Sequence, residues 1–413
     1  MVDPPAGGQG VRKPTEHELN WLTRRAVAEI VPEAELVAAL KKGKPLRIKM
    51  GFDPTKPVIT LGWAVGLRKL RQFQDLGHTI VVIIGDWTAR IGDPSLKSET
   101  RQMLTEEEVM ANSEAILEQF FRILDRERTE IRRQTTWFDD FKLTDVVRLA
   151  ARFTVAQLLE RDDFANRFGA KQPIGIHELL YPLLQGYDSV AIESDVEFGG
   201  TDQKFNILVG RELQREVGQP GVAGNGQAVL LVPLLVGLDG SKKMSQSLGN
   251  FIAINEPPNE MYGKLMSIPD SLIGDYFELL TDVPDEELDA IRESIDKRAV
   301  NPMEHKKRLA REIVGYFHSR EAAQGAEAAF VATFSKGELP ENAPEVPVPS
   351  GNFKLASFLA ENGLAPSASE ANRLIDAGAV EINGEKATRK TDGLKPGDTI
   401  RVGKHRFVRI AQG

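Results

Sequence analysis

Tyr181, Gln185 and Asp188 are spaced i, i+4, i+7, which sets a phenol, an amide and a carboxylate on one face of a helix. A β-branched stretch follows them, and polar groups beside buried strands are costly unless paired. Such a face suits a small polar ligand: carboxylates for an ammonium or a hydroxyl, amides for orientation. A second segment, "GLDGSKKMSQSLGN" at 237–250, carries three glycines, three serines and two lysines. That composition describes either a solvated loop or a mobile cationic loop whose charge meets a polyphosphate in the transition state. A third, "GDWTARIGDPSLKSETR" at 85–101, places Thr88 and Asp93 just past a strand, where an aspartate can face a ligand ammonium. Gly-Asp-Pro is also an ordinary turn sequence. The fourth, "GFDPTKPVITLGWAVGLRKL" at 51–70, turns from a strand into a helix as phosphate-binding turns do. It contains neither GxGxxG nor GxxxxGK[ST]. The turn "GGTDQ" at 199–203 brings Asp202 and Gln203 to the start of a further helix.

The elements that must hold these residues alternate. Strand patterns fall at 46–53, 78–86, 190–197 and 228–235, and helical patterns at 61–76, 104–125, 144–161 and 204–217. "HTIVVIIGD" is a continuous β-branched run, as expected of a parallel strand buried on both faces. Thr105 with Glu108 three residues on has capping-box spacing. Strands separated by long helices predict βαβ units and a doubly wound sheet. Beyond residue 255 the pattern turns helical, with helices expected at 272–281, 284–296, 303–318 and 320–335. Residues 336–351 are proline-rich and read as a linker. Residues 352–413 form a small module of two helices and short strands, with turns at Asn383-Gly384 and Pro396-Gly397.

The 413 residues suffice for two or three domains, and the charge is −8. From residue 351 onward ten basic residues face seven acidic ones, a net of +3 that leaves about −11 on the other 350. The C-terminal module is therefore the one basic region of an acidic chain, which suits nucleic-acid phosphates. There is no cysteine, which fits a reducing compartment and excludes thiolate metal sites. No apolar run approaches the roughly 20 residues of a membrane span, so no membrane partner is expected. Residues 1–18 read as a disordered leader without a signal-peptide core, and the address expected is cytoplasmic.

In this order the segments resemble the tyrosyl-tRNA synthetases, class I aminoacyl-tRNA synthetases, in the bacterial branch whose loop reads KMSKS. The likeness spans nearly the whole chain: GFDPT, "IIGDWTARIGDPS", "YPLLQGYD", "GGTDQKFN", "GLDGSKKMS", "NEMYGKLMSIPD" and a C-terminal module like the S4 RNA-binding domain. It implies a Rossmann-like doubly wound catalytic domain over 19–250, an all-α domain over 251–335 and an α+β S4-like domain over 352–413. The implied reaction joins L-tyrosine to ATP, carried with Mg²⁺, and then to tRNA(Tyr), in a homodimer. By resemblance Asp93, Tyr181 and Gln185 hold the ammonium, Asp188 accepts from the tyrosine hydroxyl, and Gln203, Thr88 and Gly51 complete that pocket. Asp53, Gly62, Asp202, Lys243, Ser245 and Ser247 fall on the ATP side, with Gly62 admitting adenine to the backbone. Arg373, Lys386, Arg389 and Lys390 are the implied RNA contacts. No metal ligands within the protein are implied.

Three catalytic positions depart from the family pattern. A HIGH-type signature, expected as H-L-G-H, reads Thr60-Leu61-Gly62-Trp63, and KMSKS reads Lys243-Met244-Ser245-Gln246-Ser247. Both imidazoles and the second lysine are replaced, while Thr55 is retained. Lys49 stands where other branches have a tyrosine that shares the substrate hydroxyl. The expectation is an intact tyrosine pocket with ATP-dependent activation weakened or lost. The alternatives are an impaired relative that binds tyrosine or RNA without ligating them, and an enzyme activating a related amino acid for another acceptor.

Overall fold

The computed structural model describes residues 10–90, 92, 104–222, 224–335, 344–349, 353–391, 393–403 and 406–411. The chain divides into two compact units: Met1–Pro257 with Lys264–Ile313, and Pro258–Gly263 with Val314–Gly413. The helical stretch expected as one domain is thus split near residue 313.

The first unit is built on a six-stranded sheet. Its strands are β1 (Glu29–Val31), β2 (Arg47–Phe52), β3 (Thr79–Ile84), β4 (Thr129–Arg133), β5 (Val196–Gly200) and β6 (Ala228–Val232), in the spatial order β1-β6-β5-β2-β3-β4. All neighbours are parallel except β1, which runs antiparallel along β6. The chain winds outward from β2 through β3 to β4, then restarts on the other side with β5 and β6. The switch point therefore falls between β2 and β5, and ligands of such sheets bind at the carboxyl ends there. In β3 the residues Ile80 to Ile84 have no exposed surface, as the apolar run requires.

Helices Leu61–Asp75, Glu106–Phe120, Ile176–Ala191 and Lys204–Glu216 cover the sheet's crossovers. Thr105 caps its helix with Glu108 in a capping box. Two expectations are corrected. The strand placed at 190–197 lies at 196–200, because the Ile176–Ala191 helix takes up the β-branched Val190 and the chain turns two residues later at Glu193, with φ of 52°. The helix expected over 144–161 is broken into Leu143–Ala150 and Val155–Leu158, where Thr154 starts the second piece by capping Gln157. Strands β1 and β4 were not foreseen. Of the stretch expected to be a leader, residues 16–18 open a helix that runs to Thr23.

His78 enters β3 with 2% of its surface exposed, and neither ring nitrogen has a hydrogen-bond partner among the described residues. Burial pushes its imidazole down to about 4. The unfolded chain therefore takes up this proton first, and stability is lost as pH falls from about 6.5 to about 4. The loss amounts to about 3 kcal/mol. Replacing His78 by leucine should flatten that slope, which Tm measured from pH 7 to pH 4.5 would show. An unchanged slope would remove His78 from the account.

In the second unit helices Leu355–Glu361 and Ala368–Asp376 pack on a five-stranded sheet. Its strands are β7 (Glu345–Val346), β8 (Val380–Ile382), β9 (Glu385–Lys386), β10 (Thr399–Val402) and β11 (Arg406–Ile410), in the order β7-β11-β10-β8-β9. Asn383 and Gly384 both have positive φ, as the turn between β8 and β9 demands. Part of the expected linker is strand: β7 lies parallel to β11 as an edge, flanked by Pro344 and Pro347.

Candidate active site

A cavity of about 320 Å³ opens at the carboxyl ends of β2 and β5. Its walls are the start of the Leu61–Asp75 helix, the Tyr181–Asp188 face and the 243–247 loop. The sheet switch point and the four sequence segments thus converge on one place.

On the amino-acid side Asp188 is 1% exposed. Its two oxygens accept from Gln134 Nε2 at 2.8 Å and from Trp137 Nε1 at 3.2 Å. Burial pushes its carboxyl up to about 7, opposed chiefly by the Lys49 ammonium. Gln134 is fixed in turn, since its Oε1 accepts from the Thr88 backbone N–H at 2.9 Å. Beside it Asp53 accepts from Thr88 Oγ1 at 2.7 Å and from Tyr181 Oη at 3.0 Å. Asp53, expected on the nucleotide side, therefore also borders the amino-acid half. Gly85 makes this possible: a Cβ there would collide with Asp53 Oδ1 and stand 2.7 Å from Thr88 Oγ1. Gln185 and Gln203 are joined by Asn206, whose Nδ2 donates to both amide oxygens at 2.9 and 3.2 Å. Gly51 lines the floor, where a Cβ would be 3.8 Å from Ile83. Asp93 lies outside the described residues.

The nucleotide side has a different character. Thr60 is almost fully buried at the N-cap position of the Leu61–Asp75 helix, without a side-chain capping bond, in a bridge with Ala253. Trp63 is 37% exposed and packs edge-on against Phe52, with ring centroids 6.5 Å apart, and near Phe120 at 6.1 Å. Its indole covers an apolar wall. Gly62 faces the 243–247 loop, where a Cβ would be 3.6 Å from Met244 Cβ. Lys243 Nζ is paired with Asp202 Oδ2 at 2.6 Å, and Gln246 Nε2 donates to the Val58 carbonyl. Thr55, Lys56, Ser245 and Ser247 also line this end.

The 237–250 loop, expected to be mobile, is laced to itself. Met244 N–H donates to the Leu235 carbonyl at 2.7 Å, and Gly237 N–H to the Lys242 carbonyl at 2.8 Å. Asn250 closes it by accepting from Ser245 N–H at 2.9 Å and donating to the Lys243 carbonyl at 3.1 Å.

In the second unit the RNA candidates gather round the end of the Ala368–Asp376 helix. Arg373 lies on that helix, and Arg389 Nε donates to Asp376 Oδ1 at 2.7 Å. The Lys386 side chain lies within 3.3 Å of where a Cβ on Gly378 would stand. Lys390 is exposed one residue beyond Arg389.

Four contributors escaped the sequence reading: Gln134, Trp137, Asn206 and Gly85. Only Asn206 carried any signal, as a polar residue three positions after Gln203.

The family model for class I tRNA synthetases (W and Y) matches residues 41–335, and that for the S4 domain matches 353–400. The tyrosine–tRNA ligase of Dehalococcoides mccartyi strain CBDB1 is 53% identical over 394 residues, 95% of this chain and 98% of that one. The tyrosine–tRNA ligase of Thermotoga maritima is 50% identical over 404 residues, 97% of this chain and 98% of that one. Among solved structures, the Archaeoglobus fulgidus tyrosyl-tRNA synthetase complexed with L-tyrosine overlays with a TM-score of 0.61 at 23% identity. That overlay covers 75% of this chain and 99% of the other, and it supports the fold. A doubly wound sheet, a cavity at its switch point and these likenesses agree: the chain belongs to the tyrosyl-tRNA synthetase family, with a class I catalytic region and an S4 domain.

Proposed function

We propose that this chain is a tyrosine–tRNA ligase, activating L-tyrosine with ATP and passing it to tRNA(Tyr). The observation that carries the reading is Asp188, a buried carboxylate of the cavity wall, held by two neutral donors so that it faces the cavity as an acceptor. A phenol hydroxyl satisfies it, and a ligand without one leaves it unpaired. Tyr181, Asp53 and Gln185 border the same space and suit an ammonium and its orientation. Asp93 belongs to this set by resemblance.

ATP enters as the magnesium complex, the ion riding on the phosphates. Lys243 exchanges its Asp202 partner for phosphate oxygens, and the Gly62 backbone faces the base. Tyrosine-dependent exchange of pyrophosphate into ATP, followed by charging of tRNA(Tyr), tests the proposal. Charging with phenylalanine as readily as with tyrosine would overturn it, as would binding of tyrosine without any ligation.

The basic cluster Arg373, Lys386, Arg389 and Lys390 meets tRNA phosphates. Its replacement by four alanines should weaken tRNA binding at low salt. The slope of log K against log salt should fall by about three, since each phosphate contact contributes about 0.7–0.9. An unaltered slope would move the RNA site elsewhere.

The working form we propose is a homodimer. Leu143, Val147, Val155, Phe168 and Ile176 stand exposed on successive helical segments of the first unit, and large apolar side chains left exposed together suit a protein–protein surface. Sedimentation at micromolar concentration reads this directly, and a monomer there would refute it. Because the acceptor is a tRNA used in translation, the proposal places the protein in the cytoplasm.

A further inference from the structure

Behind Asp188 the protein buries a complete ion pair. Lys49 in β2 and Glu197 in β5 are 0% and 1% exposed, with Nζ and Oε1 2.8 Å apart. Lys49 also donates to Ser189 Oγ at 2.9 Å and to the Gln185 carbonyl at 3.0 Å. The second oxygen of Glu197 accepts from Ser189 Oγ at 2.7 Å and from Gln227 Nε2 at 2.6 Å. All three ammonium hydrogens and both carboxylate oxygens are therefore used. Gly210 seals the rear, since a Cβ there would stand 2.9 Å from both Ser189 Oγ and Gln227 Nε2. On the front, Glu197 reaches the cavity wall together with Asp188.

Stability gives a poor reason for this arrangement. A buried ion pair commonly does no better than apolar residues of similar volume, and its strand neighbours Ile48, Met50, Val196 and Phe198 are apolar. The placement of its partners is more telling. Gln185 and Ser189 flank Asp188 on the helix that carries the ligand-facing residues, so Lys49 grips the very turn that presents the carboxylate.

We infer that Lys49 is a positioning residue for hydroxyl recognition: its ammonium, held by Glu197, fixes the 185–189 turn and supplies the positive field that keeps Asp188 an acceptor. The inference rests on reading the cavity as a tyrosine site. The charged groups facing Asp188 are Lys49 from β2 and Glu197 from β5, whose influences on its carboxyl are opposite. The 134–137 segment offers the neutral Gln134 and Trp137. Asp53 lies across Thr88, and Asp86 is bound to Thr135.

The opposite signs make the test sharp. Lys49→Met, Glu197→Gln and the double variant are prepared in the full-length protein. The carboxyl ¹³C shift of Asp188 is followed with pH in the ligand-free state, and tyrosine and phenylalanine dissociation constants are measured across the same range. Lys49→Met should move the Asp188 midpoint up by about one pH unit or more and weaken tyrosine about tenfold at pH 7. Glu197→Gln should move it down, and the double variant should fall between the two. Phenylalanine affinity should change less than twofold throughout. Equal midpoints in all four proteins would overturn the inference, as would a parallel loss of tyrosine and phenylalanine. Should Lys49→Met fail to fold, Glu197→Gln and the double variant carry the same contrast. A parent protein that binds no tyrosine at any pH would defeat the site reading, while the ligand-free titration would still judge Lys49.

Discussion

The triple variant Thr60→His, Trp63→His, Gln246→Lys should exchange pyrophosphate into ATP at least about a hundredfold faster than the parent at saturating tyrosine. Adenylation builds charge on a pentacoordinate α-phosphate and on the departing pyrophosphate, and donors that touch only this state raise the rate selectively. One such donor is typically worth about 10²–10³ in rate, or roughly 3–4 kcal/mol. Three restored donors will not add fully, because members of one constellation act as a unit. In the parent the phosphate end offers a buried hydroxyl at Thr60, an indole packed on Phe52, and an amide committed to the Val58 carbonyl. Its one loop cation in the altered signature, Lys243, is already paired with Asp202. The gain should appear in the rate constant and leave tyrosine KM within about threefold, since the Asp188 side is untouched. A parent that already exchanges as fast as its triple variant would sink the idea.

Asp188→Ala should cut kcat/KM for tyrosine by about a hundredfold or more and leave phenylalanine nearly unaffected. A hydrogen bond to a charged group is worth about 1.5–3 kcal/mol, and the change also strands the phenol hydroxyl in a dry site. The pH dependence supplies a second signature. With the carboxyl pushed up to about 7, the acceptor form is gained as pH rises through neutrality. Preference for tyrosine over phenylalanine should therefore grow from pH 6 to pH 8 in the parent and stay flat in the variant. Steady-state kinetics with both amino acids measures this, and matching profiles for the two proteins would refute it.

How far the sequence discloses such a site depends on the range of the interactions. The Tyr181–Gln185–Asp188 face is legible because helical spacing alone puts the three together. The doubly wound sheet is legible because β3 is apolar on both faces. Gln134 and Trp137 are invisible by contrast: they reach Asp188 from more than 50 residues away, out of the short helical turn after β4. Lys49 reads in sequence as a missing tyrosine, and its partner Glu197 lies 148 residues on. The displaced strand at 196–200 shows the limit of periodicity, since β-branched residues at a helix end look like strand until the turn at Glu193 is seen. The broken helix after Ala150 hinged on Thr154, a local cap that propensity does not reveal.

The lacing of the 237–250 loop bears on the entropy of nucleotide binding. A loop that must be ordered residue by residue loses about 1–2 kcal/mol of backbone freedom for each one fixed. Here Asn250 and the bonds from Met244 to Leu235 and from Gly237 to Lys242 already hold the loop as one piece. A phosphate would then meet a preformed unit, with Lys243 Nζ giving up its Asp202 partner. Most of the ordering cost was met during folding, so binding should carry a small entropic penalty.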